Sequence, residues 1–122
     1  TQSENPSVIN ISSIAGIKGI GSSLAYASSK GALNTMTKSM ARNLGPIRVN
    51  AICPGFIQGE WLRKGLGDDV YNASLKNLES STPLGLAVTP EQVADSIYNF
   101  AAISTTVTGE TLLVDGGYHL TI

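Results

Sequence analysis

Three side chains of this sequence, Ser13, Tyr26 and Lys30, could together exchange a proton with a carbonyl or alcohol oxygen. Tyr26 and Lys30 are four residues apart, so on a helix their side chains share one face. A phenol titrates at about pH 10 and is a poor acid or base near neutrality. An ammonium one helical turn away stabilises the phenolate and makes proton transfer feasible. Ser13 could hydrogen-bond the same substrate oxygen.

The elements that must position these residues follow from the pattern on either side of them. The run from Ser7 to Ser12 is rich in β-branched residues and predicts a buried strand. The segment from Ser13 to Ser23 is rich in glycine and serine and predicts a loop. From Leu24 to Leu44 apolar residues recur at intervals of three and four, which predicts a long amphipathic helix. Gly45 and Pro46 favour its termination.

The second half of the sequence continues the alternation of strands and helices. Ile47–Cys53 predicts a second strand and Thr111–Asp115 a third, with a helix over Asp69–Leu78 between them. Thr89-Pro90-Glu91-Gln92 has the residues of a capping box and predicts the start of a helix that ends at about Ile103. Apolar strands that alternate with helices indicate an α/β fold with a parallel sheet. Three strands with covering helices would be part of a doubly wound sheet.

Composition excludes several classes of protein. The chain has 122 residues, 42% hydrophobic and 14% charged, with eight basic and nine acidic side chains. This balance lacks the strongly basic surface of a nucleic-acid binder. No stretch reaches the roughly 18 apolar residues of a membrane span, and no leader is present, which predicts a cytoplasmic protein. The single Cys53 excludes an internal disulfide, and neither Cys53 nor His119 has neighbours suited to a metal site.

Five blocks of the sequence, in order, resemble the short-chain dehydrogenase/reductase family. Asn10–Gly16 followed by Tyr26–Lys30 is similar to the active-site segment of that family, and Arg48–Ile57 resembles the next block. Shorter matches complete the series at Pro83–Gly85, Pro90–Ala94 and Thr108–Gly117. The similarity covers about residues 7–119 and is greatest to enzymes of the 3-oxoacyl-acyl-carrier-protein reductase type.

The resemblance implies a fold, an activity and a cofactor. Residues 1–122 would form the C-terminal half of a single NAD(P)-binding Rossmann-fold domain. The protein would interconvert a ketone and a secondary alcohol by hydride transfer with NAD or NADP, and would form a homodimer or homotetramer. The chain opens at Thr1 without an initiator methionine, as the middle of a longer polypeptide would. The glycine-rich cofactor loop, the ribose-selecting residue and a catalytic asparagine are expected in the other half.

The family pattern also implies a role for each site residue. Tyr26 would be the general acid/base, and Lys30 would stabilise its phenolate and bind the nicotinamide ribose hydroxyls. Ser13 would position the substrate oxygen and stabilise its developing charge. Residues that would bind the cofactor are Tyr26, Lys30, Pro54, Gly55 and Ile57, the last through its backbone.

The sequence departs from the family pattern at Gly59, where relatives usually carry a cofactor-binding threonine. A glycine there removes a hydroxyl and loosens the loop. Gly16–Gly21 has the glycine content of a phosphate loop, but the wrong spacing, and is interpreted as a mobile loop beside the substrate. Between the second and third strands, five residues could either form a lid over the substrate or simply pack: Trp61, Leu62, Tyr71, Leu75 and Leu78.

Two other functions remain open from the sequence. The chain could be an inactive truncated fragment that retains only the surfaces for oligomerisation. It could also be an extended relative, such as a sugar-nucleotide epimerase, which uses tyrosine and lysine at the same spacing. The ending Val114–Gly117 argues against that second alternative. In a half-sheet of this kind, the outer edge of the first strand would be unpaired. We therefore expect stability to require another strand at that edge.

Overall fold

A three-stranded parallel sheet forms the centre of the computed structural model, which describes residues 4–122. The strands are β1 (Ser7–Ile11), β2 (Arg48–Pro54) and β3 (Thr111–Val114), in the spatial order β1-β2-β3. Helices connect them, so the predicted α/β fold with parallel strands is confirmed. The opening residues Thr1, Gln2 and Ser3 lie outside the described residues.

Five α-helices of residues 4–122 surround the sheet, and two predicted helix starts match the structure. Ser23 caps the long helix by accepting a hydrogen bond from the Tyr26 backbone N–H at 3.0 Å. The capping box of Thr89 and Gln92 forms with hydrogen bonds of 3.2 and 2.9 Å. The helices are α1 (Ala15–Lys18), α2 (Leu24–Asn43), α3 (Glu60–Leu66), α4 (Asp68–Ser81) and α5 (Pro90–Tyr98).

Two short helices are absent from the sequence-based prediction. The segment Ser13–Ser23, predicted as a loop, contains α1, and α3 precedes a helix that was expected to begin only at Asp69. Both contain glycine, whose low helix propensity conceals a helix of one or two turns. The helix α1 forms because Gly19 adopts a left-handed conformation and donates its N–H to the Ala15 carbonyl at 2.9 Å.

The helix predicted to run to Ile103 instead changes to a π-helical turn at Asn99–Ile103. Arg48, from the start of β2, explains the change. Its guanidinium donates to the carbonyls of Phe100, Ala101 and Ser104 at 2.6, 2.9 and 2.9 Å. A cation that binds the free carbonyls at a helix C-terminus stabilises that end. The arginine therefore ties the end of α5 to the first residue of the central strand.

The central strand β2 is buried along its whole length because α2 covers one face and α5 the other. Side chains alternate between the two faces of a strand. Ile52 packs in the cluster with Val88 and Val93 on the α5 face. Cys53, the next residue, contacts Asn34 of α2 on the opposite face.

Polar contacts fix the long helix α2 against the sheet. The Asn10 amide donates to the Thr37 hydroxyl at 3.0 Å, and that hydroxyl donates to the Leu33 carbonyl at 2.8 Å. The Cys53 thiol donates to the side-chain amide oxygen of Asn34 at 3.6 Å. Hydrogen bonds are directional, so these buried contacts determine how far α2 can slide along the sheet.

Within the described residues, β1 pairs only with β2, and its other edge is unpaired. Ile11, the last residue of β1, is correspondingly exposed. An unpaired strand edge presents backbone groups that can pair with another strand. No helix of residues 4–122 combines the length and the apolar character needed to cross a membrane.

The buried amide of Asn50 should be important for stability. It donates to the Val107 carbonyl at 2.9 Å and accepts from the Glu110 backbone N–H at 3.0 Å, which fixes the approach to β3. We expect Asn50→Ala to lower the free energy of unfolding by about 2–4 kcal/mol, because two backbone groups lose their partner. Urea denaturation followed by circular dichroism measures this change. The matched control is Asn43→Ala, which removes an exposed amide and should cost at most about 0.5 kcal/mol; equal effects would contradict the assignment.

Candidate active site

The carboxyl end of β1 places Ser13 beside the end of β2. The pairing of the two strands continues past β1, because the Ser12 N–H donates to the Ile52 carbonyl at 2.8 Å. The Ile14 N–H then donates to the Pro54 carbonyl at 3.0 Å. Ser13 lies between these two bonds and is held in position with only 8% of its surface exposed. Ligands of open parallel sheets bind at this edge.

The Ser13 hydroxyl accepts one hydrogen bond within the protein and keeps its own proton free to donate. Its oxygen accepts a hydrogen bond from the Ala15 N–H at 3.1 Å, at the start of α1. A serine hydroxyl can accept with its lone pairs and donate its proton at the same time. The geometry therefore leaves the Ser13 proton available for a substrate oxygen.

The first two turns of α2 present Tyr26 and Lys30 on one face. The Lys30 ammonium donates to the Ile11 carbonyl at 3.1 Å and lies 5.8 Å from the centroid of the Tyr26 ring. The strand end thus holds the lysine beside the tyrosine. Tyr26 itself is 40% exposed, so its ring is accessible from outside. Ser13, Tyr26 and Lys30 are accordingly gathered where β1 ends and α2 begins.

Gly16 permits the close approach of α1 to α2. A β-carbon at this position would lie 2.5 Å from the Lys30 carbonyl carbon and 2.6 Å from the Gly31 nitrogen. Real β-carbons do not approach backbone atoms so closely, so any other residue would push α2 away. The glycine of the Asn10–Gly16 block therefore determines the position of the backbone that carries Lys30.

Three of the five residues expected to bind the cofactor lie at and beyond the end of β2. Pro54 closes the strand and is buried, and the Gly55 N–H donates to the Val114 carbonyl at 3.1 Å. Ile57 forms an isolated parallel bridge with Val88. The Gln58 N–H donates to the Val88 carbonyl at 2.8 Å. Backbone groups alternate in direction along an extended chain, so those of Ile57 point away from Val88.

A cavity of about 790 Å³ adjoins Tyr26 and brings part of the predicted site together. Tyr26, Gly55 and Ile57 all line it. Ser13, Lys30 and Pro54 are not among its lining residues. A concave pocket next to a tyrosine and free backbone groups is the geometry of a small-molecule site.

Gly59 has a structural reason to be glycine. Its backbone has φ +154° and ψ 169°, a conformation that residues with a side chain rarely adopt. Its N–H donates to the Tyr71 hydroxyl at 2.9 Å, which fixes the start of α3. A threonine would be strained in this conformation. In place of the hydroxyl side chain of the family pattern, the hydrogen bond to Tyr71 stabilises the loop.

Of the five residues considered for a lid over the substrate, some line the cavity and others are buried by packing. Trp61 and Leu62 line the cavity. Tyr71 and Leu78 are buried, and the Tyr71 ring lies 5.6 Å from that of Phe56, which lines the cavity. Leu75 is half-buried. Packing is therefore the correct interpretation for the two buried side chains of α4.

The glycine-rich segment Gly16–Gly21 is not a loop throughout. Its first three residues belong to α1, and Gly19 caps that helix. Gly21, at its end, lines the cavity together with Ser22. The helical turn is held against α2, so the interpretation of the whole segment as a mobile loop was wrong for its first half.

Cys53 is buried near the end of β2 and is not suited to be a nucleophile. Burial raises the pKa of the Cys53 thiol, and this outweighs the opposite effects of the Ser12 hydroxyl, the Ser13 backbone and the Lys30 charge. Because the raised pKa keeps the thiol protonated, its S–H can donate to Asn34 as described above.

His119 has a partner that the sequence analysis missed. Its Nδ1 lies 2.9 Å from both carboxylate oxygens of Asp115, which is buried. The same carboxylate accepts from the backbone N–H groups of Gly117 and His119 at 3.0 and 2.8 Å. Asp115 also contacts Gly55. A β-carbon on Gly55 would lie only 2.9 Å from the β-carbon of Asp115. The spacing of four between aspartate and histidine was the signal that could have revealed the pair.

Comparisons with known proteins agree on one family. The family model described as Enoyl-(Acyl carrier protein) reductase matches residues 1–119. A 3-oxoacyl-[acyl-carrier-protein] reductase from Chlamydia muridarum is 39% identical over 113 residues, which is 90% of this chain and 44% of the relative. The chain spans about half the length of the curated relatives it matches.

Solved structures match the fold as well as the sequence. A small-chain dehydrogenase in complex with NADPH superposes with a TM-score of 0.86 at 31% identity, over 97% of this chain and 53% of that protein. The aldohexose dehydrogenase of Thermoplasma acidophilum, in ligand-free form, gives a TM-score of 0.88 at 29% identity, over 99% and 51%.

The close contact at Gly16 leads to a testable prediction. We expect Gly16→Ala to lower the free energy of unfolding by about 1–3 kcal/mol, because its methyl group must displace the backbone at Lys30. Urea denaturation measures the change. The control is Gly65→Ala, in α3, where a β-carbon meets nothing within 4 Å and helix propensity improves by up to about 1 kcal/mol. If both variants were equally stable, the close approach of α1 and α2 would not matter.

Proposed function

Because the chain belongs to the short-chain dehydrogenase/reductase family, we propose that it carries the proton-transfer site of an NAD(P)-dependent enzyme that interconverts ketones and secondary alcohols. The observation that carries the proposal is the arrangement of Tyr26. Its ring lines a cavity shared with Gly55 and Ile57, and Lys30 lies beside it, fixed by the end of β1. These groups suit proton exchange with an oxygen bound in the cavity.

The residues present fit the nicotinamide end of the cofactor. The backbone N–H and C=O of Ile57 are turned away from their neighbouring strand segment, and such groups suit a carboxamide. Lys30 uses one N–H on Ile11 and keeps two for the ribose hydroxyls. When bound, the coenzyme would supply or accept the hydride. NAD and NADP both suit these residues, and one matched structure is a complex with NADPH.

The chain's own residues handle the proton and the developing charge. In the direction of reduction, Tyr26 gives its proton to the substrate oxygen, while the Ser13 O–H donates a hydrogen bond to the same oxygen. The ammonium of Lys30 then stabilises the phenolate that remains. Because Lys30 is held by the backbone at the end of β1 and Ser13 by the backbone at the start of α1, their positions require little rearrangement during the reaction.

We propose that residues 1–122 are the C-terminal half of one Rossmann-fold domain, and that a strand of the other half pairs with the free edge of β1. The unpaired edge and the match to half the length of the relatives support this arrangement. We also propose a cytoplasmic homodimer or homotetramer. Apolar side chains exposed on α2 and β3, such as Met36 and Leu112, offer surface for such contacts.

The alternative, an inactive fragment that retains only association surfaces, is favoured by the same half-length match. The mass of the intact protein separates the two. A mass near 12.7 kDa would correspond to these 122 residues alone and support the alternative. About twice that mass would show that the protein includes a second half, as the proposal requires.

Removing the hydroxyl of Tyr26 tests the proposed acid/base. We expect Tyr26→Phe to lower kcat for NADPH-dependent ketone reduction by about 100- to 10,000-fold, the usual contribution of acid–base catalysis. The initial rate of NADPH oxidation measures it. Tyr98→Phe, which removes the hydroxyl of an exposed tyrosine on α5, should leave kcat unchanged. An active Tyr26→Phe enzyme would refute the assignment.

Lysine substitutions test the support of the phenolate. Lys30→Met should lower kcat and also raise the KM for the coenzyme, because the ammonium is assigned to both the phenolate and the ribose. Lys38→Met, eight residues along the same helix and exposed, is the matched control and should change neither constant. An unchanged coenzyme KM in Lys30→Met would remove the lysine from the cofactor site.

A further inference from the structure

We infer that the substrate of this site carries an extended apolar group and few hydroxyl groups, and that Trp61, Leu66 and Val70 determine this specificity. The inference rests on the proposed function, which places the nicotinamide at the end of the cavity near Gly55 and Ile57. The remaining part of the cavity is then the space for the substrate.

The walls of that remaining part are apolar and come from two helices. Trp61 and Leu66 belong to α3, and Val70 belongs to the first turn of α4. Trp61 is 87% exposed, although it is the largest apolar side chain on the cavity wall. A single exposed apolar residue needs no explanation, but a cluster that lines one cavity marks a surface for an apolar partner. The size and chemistry of this wall suit an alkyl chain or ring.

Two of the polar side chains around the cavity already use their donor groups within the protein. The Gln58 amide donates to the Ala87 carbonyl at 2.8 Å, and the Ser74 hydroxyl donates to the Val70 carbonyl at 2.8 Å. Tyr26 is assigned to the reacting oxygen. Ser22 and Glu60 complete the polar side chains of the wall, apart from the indole N–H of Trp61.

A sugar is poorly matched to this wall. Each hydroxyl that enters an apolar cavity without a hydrogen-bond partner costs free energy, and a polyol has one on nearly every carbon. Glu60, the one charged side chain on the described wall, is in an ion pair with Arg63 at 3.4 Å. An alkyl ketone leaves a single polar atom to satisfy, and Tyr26 and Ser13 satisfy it. The lining therefore favours apolar ketones and alcohols over aldoses.

The fluorescence of Trp61, the single tryptophan of residues 1–122, provides a direct test. The purified protein, with saturating NADP⁺, would be titrated with methyl ketones from methyl propyl ketone to methyl heptyl ketone. We expect the emission to shift to the blue as the indole loses water, and Kd to fall about three- to fourfold per added methylene. D-glucose should produce no shift. Trp61→Phe should abolish the change and thus assign the signal.

A pair of matched variants tests the cavity wall. Leu66→Asn should weaken the binding of methyl heptyl ketone by about tenfold, because it replaces apolar contact with a group that must be desolvated. Leu84→Asn alters an exposed leucine outside this cavity and should leave Kd unchanged. A Kd independent of chain length, equal effects of the two variants, or a blue shift with glucose would each overturn the inference.

The readout separates this inference from the proposed function, because binding requires no hydride transfer. Ketones that bind with the expected dependence on chain length but cause no NADPH oxidation would refute the proposed function and support the apolar cavity. NADPH oxidation driven by polyhydroxylated ketones, without any dependence on chain length, would support the function and overturn the apolar specificity.

Discussion

The rest of the site depends on where the long helix α2 rests on the sheet. Three polar contacts hold it there, from Lys30 to the end of β1, from Thr37 to Asn10, and from Asn34 to Cys53. Sliding α2 by one turn, about 5.4 Å, would break all three. Apolar packing alone would tolerate such a shift more readily, because it is not directional. These directional hydrogen bonds therefore place the helix that carries the tyrosine and the lysine.

In the proposed reaction, the chain provides the groups that transfer the proton and stabilise the charge. Ser13 and Lys30 are held by backbone groups, and Tyr26 faces the cavity from the exposed side. The backbone contacts of Ser13 and Lys30 hold these groups in position, which suits electrostatic stabilisation that requires no reorganisation. The coenzyme contacts assigned to this chain are confined to the nicotinamide end, since the assigned residues lie in the first two turns of α2 and at and beyond the end of β2.

The sequence correctly predicted the features that depend on interactions between residues close together in the chain. The strands, the long helix and the capping box at Thr89 were predicted because period, capping and glycine–proline signals lie within a few residues of each other. The π turn could not be predicted, because Arg48 contacts carbonyls 52 to 56 residues away. The role of Gly16 required knowledge of which backbone approaches it. Gly59 was noticed as a departure, but its conformation and its bond to Tyr71 emerge only in three dimensions.

The most direct test of the central claim is to follow the hydrogen that is transferred. The protein would be supplied with a ketone and with NADPH carrying deuterium on the transferable position of the nicotinamide ring, and the alcohol would be analysed by mass spectrometry. Hydride transfer with the proton supplied by tyrosine predicts an alcohol with one deuterium on the carbinol carbon and an exchangeable proton on the oxygen. An unlabelled alcohol, or no alcohol at all, would contradict the assignment of this site to carbonyl reduction.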